Sequence, residues 1–250
     1  MDRKLKASEL KLEARRLLAG KYGTSAGMLV VVFLLSILGS VAIFFPLIPA
    51  IFGAGVTGRV NEGWIFGGLA VFFLMTLLIT MVGYVVTAGI CRFFYNICTG
   101  QAYEIGDLLY GFKNKWWRFV GLGFLYAAVN LAAGIPGAVV EAAANLHPWA
   151  SWLQVLSALF SLLHFAVTFV LYLFFGQAIY ILVESREEKV FAALGESVRL
   201  MRGNKLRYIY LSLSFTGVYV LTFLSFGIGY LWALPYIYTT YILFYLDLKR

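Results

Sequence analysis

YIYLSLSFTGVYVLTFLSFGIGYLWALPYIYTTYILFYL, residues 208–246, runs for 39 positions without an Asp, Glu, Lys or Arg. As one helix at ~1.5 Å per residue it would reach roughly 58 Å, about twice the ~30 Å hydrocarbon core of a bilayer. Ser225-Phe-Gly-Ile-Gly229 interrupts it at the middle. The stretch therefore reads as two short spans, about 208–225 and 230–246, joined by a tight turn. Pro235 and the Gly227/Gly229 pair are expected to bend or end this hairpin, since both residue types free backbone groups from a helix. A re-entrant hairpin is the alternative, because it too returns both ends to one side.

Working outward, further uncharged runs cover 22–58, 63–91, 119–140 and 142–183. Each exceeds the ~20 residues that cross a bilayer. His147-Pro148 suits the entry of a helix, where proline's missing N–H costs nothing. Pro46 and Pro49 fall near the far end of the first helix, with Gly53 to Gly58 following as loop. Six spans result: about 26–48, 64–90, 119–140, 150–182, 208–225 and 230–246. Composition agrees, since 62% of the 250 residues are hydrophobic, only 13% are charged and mean hydropathy is +0.85. A soluble domain carries about 25% charge, so soluble enzymes, disordered tails and coiled coils are excluded. The fold class expected is an all-α, polytopic membrane protein forming a single domain over 1–250.

Basic residues orient it, because short cytoplasmic loops retain Lys and Arg. With the N-terminus inside, the inner segments hold 19 of the 20, leaving only Arg59 outside. Trp64, Trp149, Trp152 and Trp232 fall near the outer boundary and Trp116 and Trp117 near the inner, where amphipathic rings prefer to sit. The net charge of +8 then faces anionic headgroups, and no nucleic-acid partner is expected. The charged first 21 residues and the long apolar run after them do not read as a cleavable signal, so the first span is expected to persist.

Each inner segment before an odd-numbered span, 3–21, 103–117 and 187–203, reads as a cytoplasmic amphipathic helix. Phe191, Leu194, Val198 and Met201 recur at helical spacing, and Gly203 is a stop. Glu187 and Glu188 at its start and basic residues at its end suit the helix dipole. Leu10, Ala14, Leu17 and Leu18 form the first stripe, with Gly20 as stop. Arg16-Leu-Leu-Ala-Gly-Lys21 thus matches Arg199-Leu-Met-Arg-Gly-Asn204 at an offset of 183. Asp107, Leu109, Phe112, Lys113 and Arg118 form a looser copy, 89 residues before the third. The expected plan is three hairpins, each preceded by an interfacial helix.

Chemistry is sparse. Gly53-Ala-Gly-Val-Thr-Gly58 fits Gly-x-Gly-x-x-Gly but lacks the strand and βαβ context of a dinucleotide site. Cys91 and Cys98 are too far apart on a helix to bridge, and His147 and His164 have no metal-ligand spacing. No cofactor, metal or catalytic residue is expected. Asn130 and His164 lie inside spans three and four, near the midplane, where an unpaired polar group is costly. They are the candidate binding residues, lining a polar cavity or serving as interhelical glue worth about 0.6 kcal/mol. Gln154, Gln177 and Glu141 fall nearer the span ends, within reach of water or headgroups.

Glu196-Ser-Val-Arg-Leu-Met-Arg-Gly-Asn-Lys205, Leu211-Ser-Leu-Ser-Phe215, Gly227-Ile-Gly-Tyr-Leu-Trp-Ala-Leu-Pro-Tyr236 and Phe244-Tyr-Leu-Asp-Leu248 resemble, in order and spacing, the bacterial membrane family called domain of unknown function 975. The Lys6-to-Gly23 and Asp107-to-Lys113 segments are similar to it too. Phe175-Gly-Gln177 stands where that family has Pro-Gly, and Gly217-Val-Tyr219 where it has Gly-Trp. The resemblance implies a multipass protein of bacterial cytoplasmic membranes with no established activity, and the charge placement puts both termini in the cytoplasm. The expected function is a non-enzymatic scaffold, accessory or envelope-stress component contacting anionic lipid, with a protein partner or a second copy as possible company. The alternative is a small transporter or exporter of a lipid, peptide or other amphiphile.

Overall fold

A computed structural model describes residues 4–45, 48, 62–185 and 189–250, and these are helical with no strand. Pro46, Pro49, the Gly53–Gly58 string, Arg59, Glu187 and Glu188 lie outside the described residues. The helices are α1 (Ala7–Leu18), α2 (Tyr22–Phe44), α3 (Glu62–Thr99), α4 (Tyr110–Lys113), α5 (Trp117–Leu146), α6 (Ser151–Phe175), α7 (Ala178–Glu184), α8 (Val190–Met201), α9 (Lys205–Leu213), α10 (Thr216–Leu224) and α11 (Tyr230–Lys249), with a 3₁₀ turn over Ile105–Leu109 before α4.

Two regions differ sharply in what they bury. The second half of α3 (Val85 to Ile97), α1, α7 and α11 supply most of one continuous core, closed by Phe119, Met201 and Phe215. Away from it, α2 and the first half of α3, and the paired α5 and α6, turn large apolar side chains outward, among them Phe33, Phe73, Leu131 and Phe165. So much contiguous apolar surface would drive association in water, whereas in hydrocarbon it faces its own kind of solvent. Five helical stretches are long and apolar enough to cross a membrane: Tyr22–Phe44, Phe66–Thr99, Trp117–Leu146, Ser151–Glu184 and Lys205–Leu224.

The expected sixth span, 230–246, is helical within α11 but falls outside that set. Its tyrosines and threonines lower its hydropathy, and Tyr236, Thr239, Thr240 and Tyr245 are buried against protein. The helix also runs on through Pro235. Span four is not continuous: α6 stops at Phe175 and α7 restarts at Ala178. Gly176 sits where a Cβ would lie 2.6 Å from the Tyr172 carbonyl oxygen. Span five breaks at Ser214-Phe215 between α9 and α10.

The first and third of the expected interfacial helices share one build. Leu10, Ala14 and Leu18 of α1 are buried, as are Ala193, Ser197 and Met201 of α8, each 183 residues on. Gly20 and Gly203 both take φ +75, a left-handed value that costs glycine nothing. The flanking backbones agree as well, with Lys21 at φ −112, ψ −1 and Asn204 at φ −110, ψ 0. The expected helix over 103–117 is instead the 3₁₀ turn and the single turn of α4. Its backbone docks too tightly on α3 to leave room for more, since a Cβ on Gly111 would meet the Val85 carbonyl oxygen at 2.3 Å and one on Gly89 the Leu108 oxygen at 2.3 Å.

Candidate functional site

Both ends of the 39-residue uncharged run meet. Arg207, just before it, donates to Asp247, just after it, at 2.6 Å, and also to the Leu5 carbonyl oxygen at 2.6 Å. Asp247 accepts the Leu5 N–H at 3.1 Å, and Asn204 Oδ1 accepts from Arg207 at 3.1 Å and from Lys4 at 3.2 Å. Asp247 is buried, so the pair persists because every oxygen has a donor. The knot fastens the first described residues, Lys4 and Leu5, to the C-terminal helix at one end of the molecule. The clue available in sequence was the position of Arg207 and Asp247 as the first charges on either side of an uncharged hairpin.

Beside the knot, α1 and α9 bound a groove of about 680 Å³. Among the described residues its charged lining is Lys4, Lys6, Lys11 and Arg207, with no carboxylate. Lys11 donates to the Ser214 carbonyl oxygen at 2.6 Å, satisfying the helix break, and lies 4.2 Å from the centre of the Phe215 ring. Leu206 and Tyr210 form an apolar wall and are largely exposed. Nearby, Glu184 accepts from Lys249 at 2.7 Å and from the Tyr245 hydroxyl.

Asn130 and His164 fall on the same seam, between α5 and α6, one helical turn apart. Asn130 Oδ1 accepts from Thr168 at 2.8 Å and its Nδ2 donates to the Tyr126 carbonyl oxygen at 2.9 Å. His164 packs where Gly134 leaves space, a Cβ there lying 3.4 Å from the ring. Its buried Nε2 has no partner among the described residues. The two residues are therefore neighbours along a closed helix pair, without a hydrogen bond to each other. Glu141 and Gln154 are exposed, as their positions imply. Gln177 is out of reach of water or headgroups: at the α6–α7 break it is 1% exposed. Cys91 is buried and neither cysteine is bridged. Among the described residues no group of three or more His, Cys, Asp or Glu could hold a metal.

The family described as "Protein of unknown function (DUF975)" matches over residues 1–250. The chain belongs to the DUF975 family. No curated protein and no solved structure matches this DUF975 member.

Proposed function

We propose that this DUF975 protein is a non-enzymatic scaffold or accessory component of the bacterial cytoplasmic membrane, with the end carrying both termini in the cytoplasm. The carrying observation is the built core at that end. The Arg207–Asp247–Leu5 knot ties α1, α9 and α11 together, while the polar midplane at Asn130 is closed by its own hydrogen bonds. A surface that places basic amphipathic helices against anionic lipid suits an organising role. Gentle extraction followed by native mass spectrometry tests it: a co-purified protein, or bulk lipid alone, supports the scaffold, and a stoichiometric soluble substrate argues against it.

The topology that goes with this reading has four full spans, α2, α3, α5 and α6, and a C-terminal hairpin that enters and leaves on the cytoplasmic side. Its tip, Phe226 to Ile228, lines one pocket of about 610 Å³ together with Leu29, Val30, Val32 and Phe33 of α2. Those positions are roughly 10–16 Å along α2 from Tyr22, at 1.5 Å per residue, about half the depth of the hydrocarbon core. The second reading, transport of an amphiphile, draws on the unpaired Nε2 of His164. A His164→Leu variant that keeps thermal stability but loses a transport phenotype favours it; a change in stability alone favours glue.

A further inference from the structure

We infer that the groove between α1 and α9 seats the headgroup of an anionic phospholipid from the cytoplasmic leaflet, an inference that rests on the terminal end being the cytoplasmic face. Charge comes first. Lys4, Lys6, Lys11 and Arg207 line the groove and no described carboxylate does. Asp247 neutralises Arg207, which leaves three ammonium groups. Lys4 and Lys11 each give one hydrogen bond to a neutral oxygen, on Asn204 and Ser214. An ammonium has three donors, so both are held in position with donors to spare for a phosphate. Burial, and then the charge of Arg15, hold the Lys11 amine below its ordinary value, a cost that a nearby anion offsets.

Shape and polarity then choose among anions. Leu206 and Tyr210, at 81% and 67% exposure, stand on one face of α9, and Leu213 continues that face toward the apolar α10. A soluble anion has no use for this wall, whereas acyl chains would lie along it while the phosphate meets the lysines. At about 680 Å³ the groove lies in the range of ligand sites. It opens beside the Ser214-Phe215 break, where the charged α1 meets the base of the apolar hairpin, the depth at which headgroups sit.

The test uses the full chain in neutral detergent, titrated with phosphatidylglycerol, phosphatidylcholine or glycerol 3-phosphate and read by native mass spectrometry. The wild type is expected to retain one phosphatidylglycerol at least 10-fold more tightly than phosphatidylcholine. Lys4→Gln with Lys6→Gln, which keeps an amide donor toward Asn204 and the Arg207–Asp247 pair, should weaken it by about 5-fold per lysine, and Lys113→Gln with Lys189→Gln should not. Tyr210→Ser should weaken phosphatidylglycerol as well. Unchanged binding in the Lys4/Lys6 variant, or glycerol 3-phosphate binding as tightly as phosphatidylglycerol, would overturn the assignment. A preference that follows Lys113 and Lys189 instead overturns the groove but leaves the cytoplasmic-surface reading standing. Absence of any preference for the anionic lipid removes that reading too.

Discussion

Replacing Phe226 with arginine asks whether the C-terminal hairpin ends in lipid or in water. Phe226 is 97% exposed, at φ +52, on a turn with Leu224 and Ile228 exposed beside it. The turn pairs all of its N–H groups internally. Successive N–H groups from Ser225 to Ile228 donate to the carbonyls of Leu221, Phe223, Thr222 and Ser225, and those of Tyr230 and Leu231 to Gly227 and Ile228. The remaining one, Gly229 N–H, donates to Ser225 Oγ at 2.8 Å. Water would supply partners at an outer loop, but hydrocarbon supplies none, so a turn with every donor paired internally is compatible with the bilayer interior the re-entrant reading gives it. On the re-entrant reading two lengths put it at mid-depth: the part of α2 that shares a pocket with it, and the nine residues of α10, about 13 Å at 1.5 Å each; on the six-span reading the 20 residues of Lys205–Leu224 carry it across. At the bilayer centre arginine costs about 2.5–3.5 kcal/mol and phenylalanine gains about 0.3–0.6. Phe226→Arg should therefore destabilise the membrane-embedded protein by about 3 kcal/mol, a large fraction of a typical stability. Thermal unfolding in nanodiscs, compared with Trp149→Arg at the far loop, measures it. In parallel, Ser225→Cys in a Cys91→Ala/Cys98→Ala background should resist an impermeant maleimide from either face, while Ala150→Cys labels from outside. A neutral Phe226→Arg together with outside labelling at residue 225 matching residue 150 would refute the mid-depth hairpin and restore six spans.

Other expectations are simpler to state. Asp247→Ala leaves Arg207 and the Leu5 N–H without their acceptor and should cost about 3–5 kcal/mol by thermal unfolding; Asp247→Asn, which keeps an acceptor, should cost less. Asn130→Ala and Thr168→Val should each be mild, with a coupling of about 0.6 kcal/mol in a double-mutant cycle. Gly20→Ala and Gly203→Ala should destabilise equally, by about 1 kcal/mol, because both occupy the same left-handed position; a difference much beyond experimental error would count against a shared ancestral unit. Gly111→Ala should cost more, about 1–3 kcal/mol, because its Cβ would meet backbone oxygen that cannot swing aside.

Much of the architecture was legible from residue types alone. Charge gaps located the long helices, and the Gly20 and Gly203 stops with their apolar stripes located α1 and α8, because burial at helical spacing is a local pattern. The middle copy misled, since nothing local to Gly111 shows that its backbone lies against the Val85 carbonyl oxygen of α3. Asn130 and His164 stood out as candidates because a polar side chain in a long apolar run is conspicuous. Lys4, Lys11 and Arg207 were not singled out, because basic residues at an inner surface are commonplace until two helices 200 residues apart bring them together.

By itself the sequence determined that the chain is helical, that its long segments are apolar enough for a membrane, and that the last run folds back on itself. Those follow from partition energies and periodicity, which depend on each residue and its near neighbours. Only the tertiary structure decided what covers that last hairpin, where α6 breaks, and which charges share a groove. Hydropathy cannot distinguish an apolar face covered by lipid from one covered by protein, and α11 is covered by protein.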